Sequence, residues 1–340
     1  MSATTTVPID VVISKLEIMK KVALSDGDGA DKYRAVQYNK AIKALVELSK
    51  SKNNIVTIAD IMELKGKGKG IGEKMITKIV EICESGDLAA TKKYIDNPEI
   101  NAIEELSGII EIGPQNAKKL VKEHKIMSVE QLRSEGMHLL NDLQKIGLKY
   151  YDDMKTKIPR KEMDQHRNYL LKKLSEIDNT SQIEIQGSYR RGKKESGDID
   201  VLIYNADNHS IFKKFVQALV VDGYLVDKLS EGISKYMGFC KISNGLARRI
   251  DIIPTKIREL PFAQLYFTGS GEFNRKLREI VKRDKHVTLN QYNLKWNSGE
   301  NKGKIVDVDF KTEDDILNYL GYKYIPPAER EPENIEKYIL

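Results

Sequence analysis

Cysteine is scarce in this chain. Its 340 residues include two, Cys83 and Cys240, far apart in sequence. That excludes a disulfide framework and fits no zinc-ligand spacing, so buried thiols in a reducing compartment are expected. Long apolar runs are missing too: none approaches membrane-spanning length, and the polar N-terminus has no secretory apolar region. A soluble intracellular protein, nuclear or cytoplasmic and without membrane association, is therefore expected, although no basic nuclear-localisation cluster stands out. A large charge excess is also lacking. Lys+Arg number 56 against 50 Asp+Glu, a net of +6, so any affinity for an anionic partner must come from local clustering. The length fits two or three compact units.

What is present divides near residue 180. Before it the apolar spacing is helical, with Ala41, Leu45 and Leu48 on one face and Ile76, Ile79 and Cys83 on another. Residues 1 to about 30 read as a loose arm plus a first helix around residues 11–19. Asn97-Pro98 punctuates the first helical unit, a second runs from Ile103 to about Met154, and Ile158-Pro159 opens a third part. After 180, short β-type runs appear at 183–185, 199–203, 236–242 and 249–253, with a helix at 211–221. Helices are expected at 273–282 and 314–320, with a short sheet near 288–296. Helices followed by segregated strands predict an α+β fold.

The most informative stretch is Gly187-Ser188-Tyr189-Arg190-Arg191-Gly192, followed by Gly197-Asp198-Ile199-Asp200. A small-residue, cationic turn offers backbone N–H groups and guanidinium to a polyphosphate. Carboxylates at i and i+2 of an extended segment share a face, so Asp198 and Asp200 can share a pair of divalent cations. Arg248-Arg249-Ile250-Asp251-Ile252-Ile253 reads as a strand with one acidic residue. Burying that carboxylate unpaired is costly, which makes Asp251 the natural third ligand. Tyr266-Phe267-Thr268-Gly269-Ser270 follows, then Asn274 and Arg278 on a helix. Upstream, Gly70-Ile71-Gly72 and Glu111-Ile112-Gly113-Pro114 each feed a helix N-terminus, a repeated anion-favouring turn.

In this order and spacing the motifs resemble the X family of DNA polymerases, in the pattern of its polymerase beta branch, over nearly the whole chain from Tyr33 to Ile325. The resemblance implies a helical lyase-like domain with a first helix-hairpin-helix (residues 1–100) and a DNA-binding subdomain with a second (101–157). A nucleotidyltransferase palm (158–264) and a small C-terminal nucleotide-selecting subdomain (265–340) would follow. It implies two Mg²⁺ ions on Asp198, Asp200 and Asp251, with Mn²⁺ as a substitute and a monovalent cation at the hairpins. Asp251 would assist deprotonation of the primer 3′-hydroxyl. Ser188, Arg191, Arg160, Gly187 and the Gly197 amide would contact the dNTP phosphates. Tyr266, Phe267 and Gly269 would pack under the sugar, with Asn274 at the base. Gly70, Gly72, Gly113, Arg249, Arg278 and Tyr292 would touch DNA. Partners would be dNTP and gapped or nicked DNA with a 5′-phosphate, bound by a monomer that cooperates with a repair ligase or endonuclease.

A second activity is implied at the N-terminus. Lys74 and Lys78 share a helix face; spacing alone favours a solvated face, whereas the resemblance matches Lys78 to a 5′-deoxyribose phosphate lyase nucleophile that forms a Schiff base. Tyr38 would support it, and Lys74 and Arg34 would hold the 5′-phosphate, in a setting enriched by Lys65, Lys67 and Lys69. The chain also departs from the pattern. Ala90 replaces a phosphate-binding lysine, Tyr33 a base-stacking histidine, Glu111 a hairpin glycine, and Gly271 an aspartate beside the incoming base. Ile253 and Gln291 replace an arginine–glutamate pair that couples Asp251 to closure. The expected function is template-directed gap filling in base-excision repair with lyase activity. The alternatives are a template-independent terminal transferase and a non-enzymatic DNA-end scaffold. The Tyr266-Phe267 pair and the short 239–248 segment argue against the first, the intact aspartates against the second.

Overall fold

The computed structural model describes residues 9–26, 29–52, 55–65, 71–88, 91, 97–204 and 208–340. The chain divides into two compact units, residues 1–151 and 152–340. Among the described residues no helix is long and apolar enough to cross a membrane.

The first unit is helical: α1 (Ile9–Asp26), α2 (Gly29–Ser51), α3 (Ile58–Met62), α4 (Glu73–Ser85), α5 (Pro98–Ser107), α6 (Pro114–His124), α7 (Val129–Ser134) and α8 (Asp142–Lys149). The first helix expected around residues 11–19 is present as the longer α1, with Val12 and Leu16 fully buried against a core that includes Ala41, Leu45 and Ile79; residues 1–8 lie outside the described residues. A second core gathers Leu106, Ala117, Val121 and Leu132. Local chemistry marks the helix starts. The Asn97 side chain accepts from the Glu99 and Ile100 amides with Pro98 at the first helical position, and Thr57–Asp60 and Asn141–Gln144 form reciprocal capping boxes.

The second unit starts with α9 (Tyr151–Lys155) at the boundary, β1 (Ile158–Pro159) and the long α10 (Arg160–Ile177). There follow β2 (Gln182–Ile185), α11 (Gly187–Arg190), β3 (Glu195–Ser196), β4 (Ile199–Tyr204), α12 (Asn208–Val221), β5 (Leu225–Glu231), β6 (Tyr236–Cys240) and β7 (Arg248–Thr255). Five strands form one mixed sheet in the order β2-β4-β7-β6-β5, and β4–β7 is its parallel pair. Val201, Leu202 and Ile203 of β4 are all buried, as a strand covered on both faces requires. The remainder comprises α13 (Leu260–Thr268), α14 (Gly271–Asp284), the β8 (Val287–Leu289)–β9 (Leu294–Trp296) hairpin and α15 (Glu313–Tyr319), around Phe273, Leu277, Val281, Ile316 and Ile325. Ser270 caps α14 by accepting from the Phe273 amide at 3.3 Å.

In the first unit α8 lies against the turn before α6 so closely that a Cβ on Gly147 would stand 2.1 Å from the Ile110 carbonyl oxygen, whereas one on Gly113 would meet nothing within 4 Å. Gly147→Ala is therefore expected to cost about 3 kcal/mol despite alanine's better helix propensity, and Gly113→Ala less than about 0.5 kcal/mol. Urea unfolding of both variants checks the contrast; equal stabilities would refute it.

Candidate active site

Parallel pairing of β4 with β7 sets Asp200 directly opposite Asp251, flanked by Ile199↔Ile250 and Val201↔Ile252. Apolar side chains thus anchor both strands while the acidic ones emerge at the same level. Asp198 lies in the bend just before β4, and with Asp200 it lines a cavity of about 320 Å³. Gly187, Ser188 and Arg191 form one wall; Tyr266, Phe267, Gly269, Gly271, Asn274 and Arg278 form the other.

The turn between β2 and β4 is built around missing side chains. Gly187 has φ +61°, and a Cβ there would stand 2.6 Å from Asp200 Oδ2, so glycine lets the turn approach the carboxylate. The Gln186 amide donates to the Asp200 carbonyl at 2.8 Å, and Ser188 donates to Ser196 Oγ at 2.8 Å. Arg191 donates from Nη1 to the Thr268 carbonyl at 2.5 Å, and its buried Nε finds no hydrogen-bond partner. On the opposite wall Asn274 donates to the Tyr266 carbonyl at 2.5 Å. The Arg278 guanidinium lies 5.6 Å from the Tyr266 ring centroid.

Negative charge is crowded here. Burial, then Asp198 and Asp251, push the Asp200 carboxyl up to about 7. Burial also raises Asp251, against the opposing Arg249 guanidinium. Asp251 Oδ1 accepts from Arg249 Nε at 3.0 Å and Nη2 at 2.9 Å. Among the described residues no three acidic, imidazole or thiol groups converge closely enough to hold one ion. Asp198 and Asp200 line the cavity, while Asp251, opposite Asp200 in the register, is held by its own strand's Arg249. An all-oxygen donor set with unbalanced negative charge nonetheless fits a hard divalent cation.

Not every residue expected here joins the cavity. Arg160 stacks on Tyr189 at 4.3 Å and donates to the Tyr189 and Lys193 carbonyls at 3.0 and 3.3 Å. Lys157 lies beside the glycine that precedes the aspartates: its Nζ stands 3.4 Å from where a Cβ on Gly197 would be. Sequence reading passed over it, yet pairing of Ile158 with Ser196 puts residues 157 and 197 side by side. Tyr292 lines a different cavity, of about 490 Å³, with Arg258 and Leu294.

In the first unit Lys78 of α4 donates to the hydroxyl of buried Tyr38 and lies 4.8 Å from its ring centroid. Lys74 is exposed on the same helix, Arg34 lies on α2, and Lys65 pairs with Glu73 at 2.7 Å. Lys67, Lys69, Gly70 and Ala90 lie outside the described residues. Gly72 and Gly113 are the N-cap residues of α4 and α6. Glu111 takes the left-handed conformation its glycine-like position requires, with φ +67°, and its carbonyl accepts from Gln144 Nε2 at 3.3 Å.

Comparison with known proteins follows this architecture. Residues 157–256 match the DNA polymerase beta palm, 263–331 the DNA polymerase beta thumb, and 104–155 the fingers domain of DNA polymerase lambda. A rat DNA polymerase lambda is 32% identical over 335 residues, which cover 94% of this chain and 56% of the relative. An Arabidopsis thaliana DNA polymerase lambda is 30% identical over 319 residues (87% and 58%). A chicken DNA nucleotidylexotransferase is 23% identical over 294 residues (76% and 57%). A palm joined to a thumb of the polymerase beta type defines the class. The chain belongs to the X family of DNA polymerases. It spans a little over half the length of these curated relatives.

A raised carboxyl pKa means that folding takes up a proton at Asp200. Its contribution to stability is fully present below about pH 4 and is lost as pH rises through about 7. Asp200→Asn should therefore melt several degrees above the unsubstituted protein at pH 8 in EDTA, the gap closing below pH 4. Equal melting temperatures at pH 8 would refute the assignment of charge crowding.

Proposed function

We propose that the chain is a template-directed DNA polymerase that adds deoxynucleotides to a primer 3′-end in short gaps, as base-excision repair requires. The observation that carries this reading is the two-sided cavity in a chain of this family: two carboxylates beside a cationic glycine turn, faced by Tyr266, Phe267 and Gly269. Asp198, Asp200 and Asp251 would hold two divalent cations, Mg²⁺ or, in substitution, Mn²⁺. Cations bound there would neutralise the triphosphate and lower the pKa of the 3′-hydroxyl. Gly187, Ser188, Arg191 and the Gly197 amide bind the phosphates in this reading, and Lys157 joins them in the place expected of Arg160. Asp251 takes up the hydroxyl proton, directly or through water. Tyr266 and Phe267, edge to face at 5.0 Å, form the floor under the sugar and favour a deoxyribose. Asn274 and Arg278 read the base side, and Arg249 and Tyr292 contact DNA elsewhere. Positioning and charge neutralisation supply most of the rate.

A second activity, 5′-deoxyribose phosphate lyase, rests on the Lys78–Tyr38 pair. The Nζ attacks the sugar aldehyde and water leaves as the Schiff base forms; loss of a C2′ proton breaks the C3′–O bond and frees the 5′-phosphate end of the DNA, and water then hydrolyses the imine to restore the amine. Tyr38 holds the amine, with Lys74 and Arg34 on the phosphate. The four segments keep the roles given above: residues 1–100 for the lyase, 101–157 for DNA binding, 158–264 for catalysis and 265–340 for nucleotide selection. The substrate is gapped DNA with a 5′-phosphate, bound by a monomer that hands its product to a ligase. A monovalent cation at the hairpins completes the DNA grip.

The test is incubation with Mg²⁺ and a one-nucleotide gapped duplex bearing a 5′-deoxyribose phosphate, with borohydride trapping in parallel. Gap filling together with a covalent adduct lost in Lys78→Ala is the expected result. Filling without an adduct would refute the lyase assignment. Extension of a single-stranded primer at an equal rate would favour a terminal transferase, and absence of extension a DNA-end scaffold. Lys157→Ala should raise the dNTP KM about fivefold at nearly constant kcat, the pattern of a lost binding contact; an unchanged KM would remove Lys157 from the phosphate site.

A further inference from the structure

The sheet face that carries Asp200 also carries a polar stripe for which the mechanism above has no use. Along β2 the sequence alternates, Gln182-Ile183-Glu184-Ile185-Gln186, and successive side chains of a strand point to opposite faces. Ile183 and Ile185 are buried in a core they share with Leu170 and Phe215. Gln182, Glu184 and Gln186 take the other face. The antiparallel register sets Gln182 opposite Tyr204 and Glu184 opposite Leu202, and the Gln186 amide donates to the Asp200 carbonyl at 2.8 Å. The stripe thus runs beside Asp200, Leu202 and Tyr204 of β4, and α13 meets the sheet along it.

Glu184 is the hub of this contact. Oε2 of its half-buried carboxylate accepts from Gln264 Nε2 at 2.8 Å and from Gln186 Nε2 at 3.1 Å. The Tyr204 hydroxyl stands 2.9 Å from Glu184 Oε1 and 2.9 Å from Gln182 Oε1. Burial, then Glu184, push the Tyr204 phenol up, so it remains a donor. Three neutral donors therefore converge on one charge, in hydrogen bonds of the charge-assisted kind. One turn further along α13 the Thr268 hydroxyl donates to Gln186 Oε1 at 3.1 Å. Gln264 and Thr268 share one face of the helix, and Glu184 and Gln186 share one face of the strand. Two points of α13 are thus pinned to two points of β2, which fixes both the height of the helix on the sheet and its rotation. Between those points stand Tyr266 and Phe267, which line the cavity with Asp200.

We infer that Glu184 is a positioning residue for sugar selection: by clasping Gln264 it holds α13 at one height and rotation on the Asp200 face, and so sets the gap between Asp200 and the Tyr266–Phe267 floor. The inference rests on the reading of the cavity as a dNTP site. A floor that excludes a 2′-hydroxyl discriminates by the closeness of its approach, and a retreat of atomic size admits the extra oxygen. Glu184 is not among the residues that line the cavity, so it acts through α13 alone. Loss of the clasp therefore falls on the choice between deoxyribose and ribose, more than on phosphates or DNA that other residues hold.

The test uses the full chain with Mg²⁺ on a one-nucleotide gapped duplex and measures kcat/KM for a dNTP and for the matching rNTP. Gln264→Glu sets two carboxylates against each other where a donor met an acceptor. Combined with Glu184→Gln, it restores a hydrogen bond with donor and acceptor exchanged. The dNTP-over-rNTP preference is expected to fall about tenfold in Gln264→Glu and to return to within about twofold of the unsubstituted protein in the double variant. A clasp that merely stabilised the helix would lower both rates together, so an unchanged preference in Gln264→Glu overturns the inference. A double variant that fails to regain the preference overturns it as well. Where Gln264→Glu melts too low to assay, Gln264→Leu decides, because it keeps the volume and removes only the donor: a preference several-fold lower supports the clasp, and an unchanged one overturns it. An unsubstituted protein that adds neither nucleotide, or both equally well, overturns instead the reading of the cavity on which the inference stands.

Discussion

Like charge held at close quarters is the constraint on which the second unit depends. Parallel β4 and β7 align Asp200 with Asp251, and the bend before β4 adds Asp198. Carboxylates so placed repel one another and lose water, which is why Asp200 is displaced toward neutrality. A fold stabilised for its own sake would not gather them. The strands can do so because Ile199, Ile250, Val201 and Ile252 are fully buried on either side, and that apolar burial offsets the electrostatic cost. The backbone hydrogen bonds of the strands then fix the spacing of the acidic pair.

The opposite sign is handled differently. Arg190, Arg191 and Arg330 are distributed over the phosphate turn and the C-terminal segment, and they meet at Glu313 and Thr268. Carboxylates stand close together on one strand pair, whereas guanidiniums converge from residues far apart in sequence. Ile253, facing Leu202 in the sheet register, carries no charge onward from the Asp251 strand. The charged connection between the turn and the C-terminal segment runs instead through Glu313, reinforced by Lys193 and Glu331 at 3.2 Å. A site with separated acidic and basic walls matches a ligand that bears a polyphosphate and is approached by cations.

Much of this was legible in the residues themselves. The Gly-Ser-Tyr-Arg-Arg-Gly turn and the paired aspartates are short-range patterns whose chemistry follows from spacing, the role of the Tyr266–Gly269 segment came from the family resemblance, and the α+β class follows from the change of period after residue 180. Asn97-Pro98 was readable as the break between the helical units, and the structure uses it to start α5. What sequence could not show has a common cause in long-range packing. The first helix was expected around residues 11–19, but its full span, Ile9–Asp26, was not, because the ends of such a helix are decided by packing rather than by propensity. Arg160 was expected at the phosphates from the resemblance alone; it starts a helix, and its guanidinium donates to two carbonyls and stacks on the Tyr189 ring. Lys157 becomes visible only through the two-residue pairing of β1 with β3. Glu313 carried no signal at all, since its partners lie 17 and 123 residues away.

Glu111 shows how a departure from a pattern is absorbed. A glycine position with positive φ can be filled by another residue at a cost of about 1 kcal/mol, and here the neighbouring helix contributes the Gln144 side chain to the exposed carbonyl. The hairpin geometry therefore survives while its electrostatics change, because an exposed carboxylate now stands beside the N-terminus of α6, where a phosphate would be attracted. Backbone shape and charge are separable at this turn. If this turn binds DNA as proposed, the attraction must come from Gly113 and the lysines further along α6, Lys118, Lys119 and Lys122, rather than from the turn that precedes them.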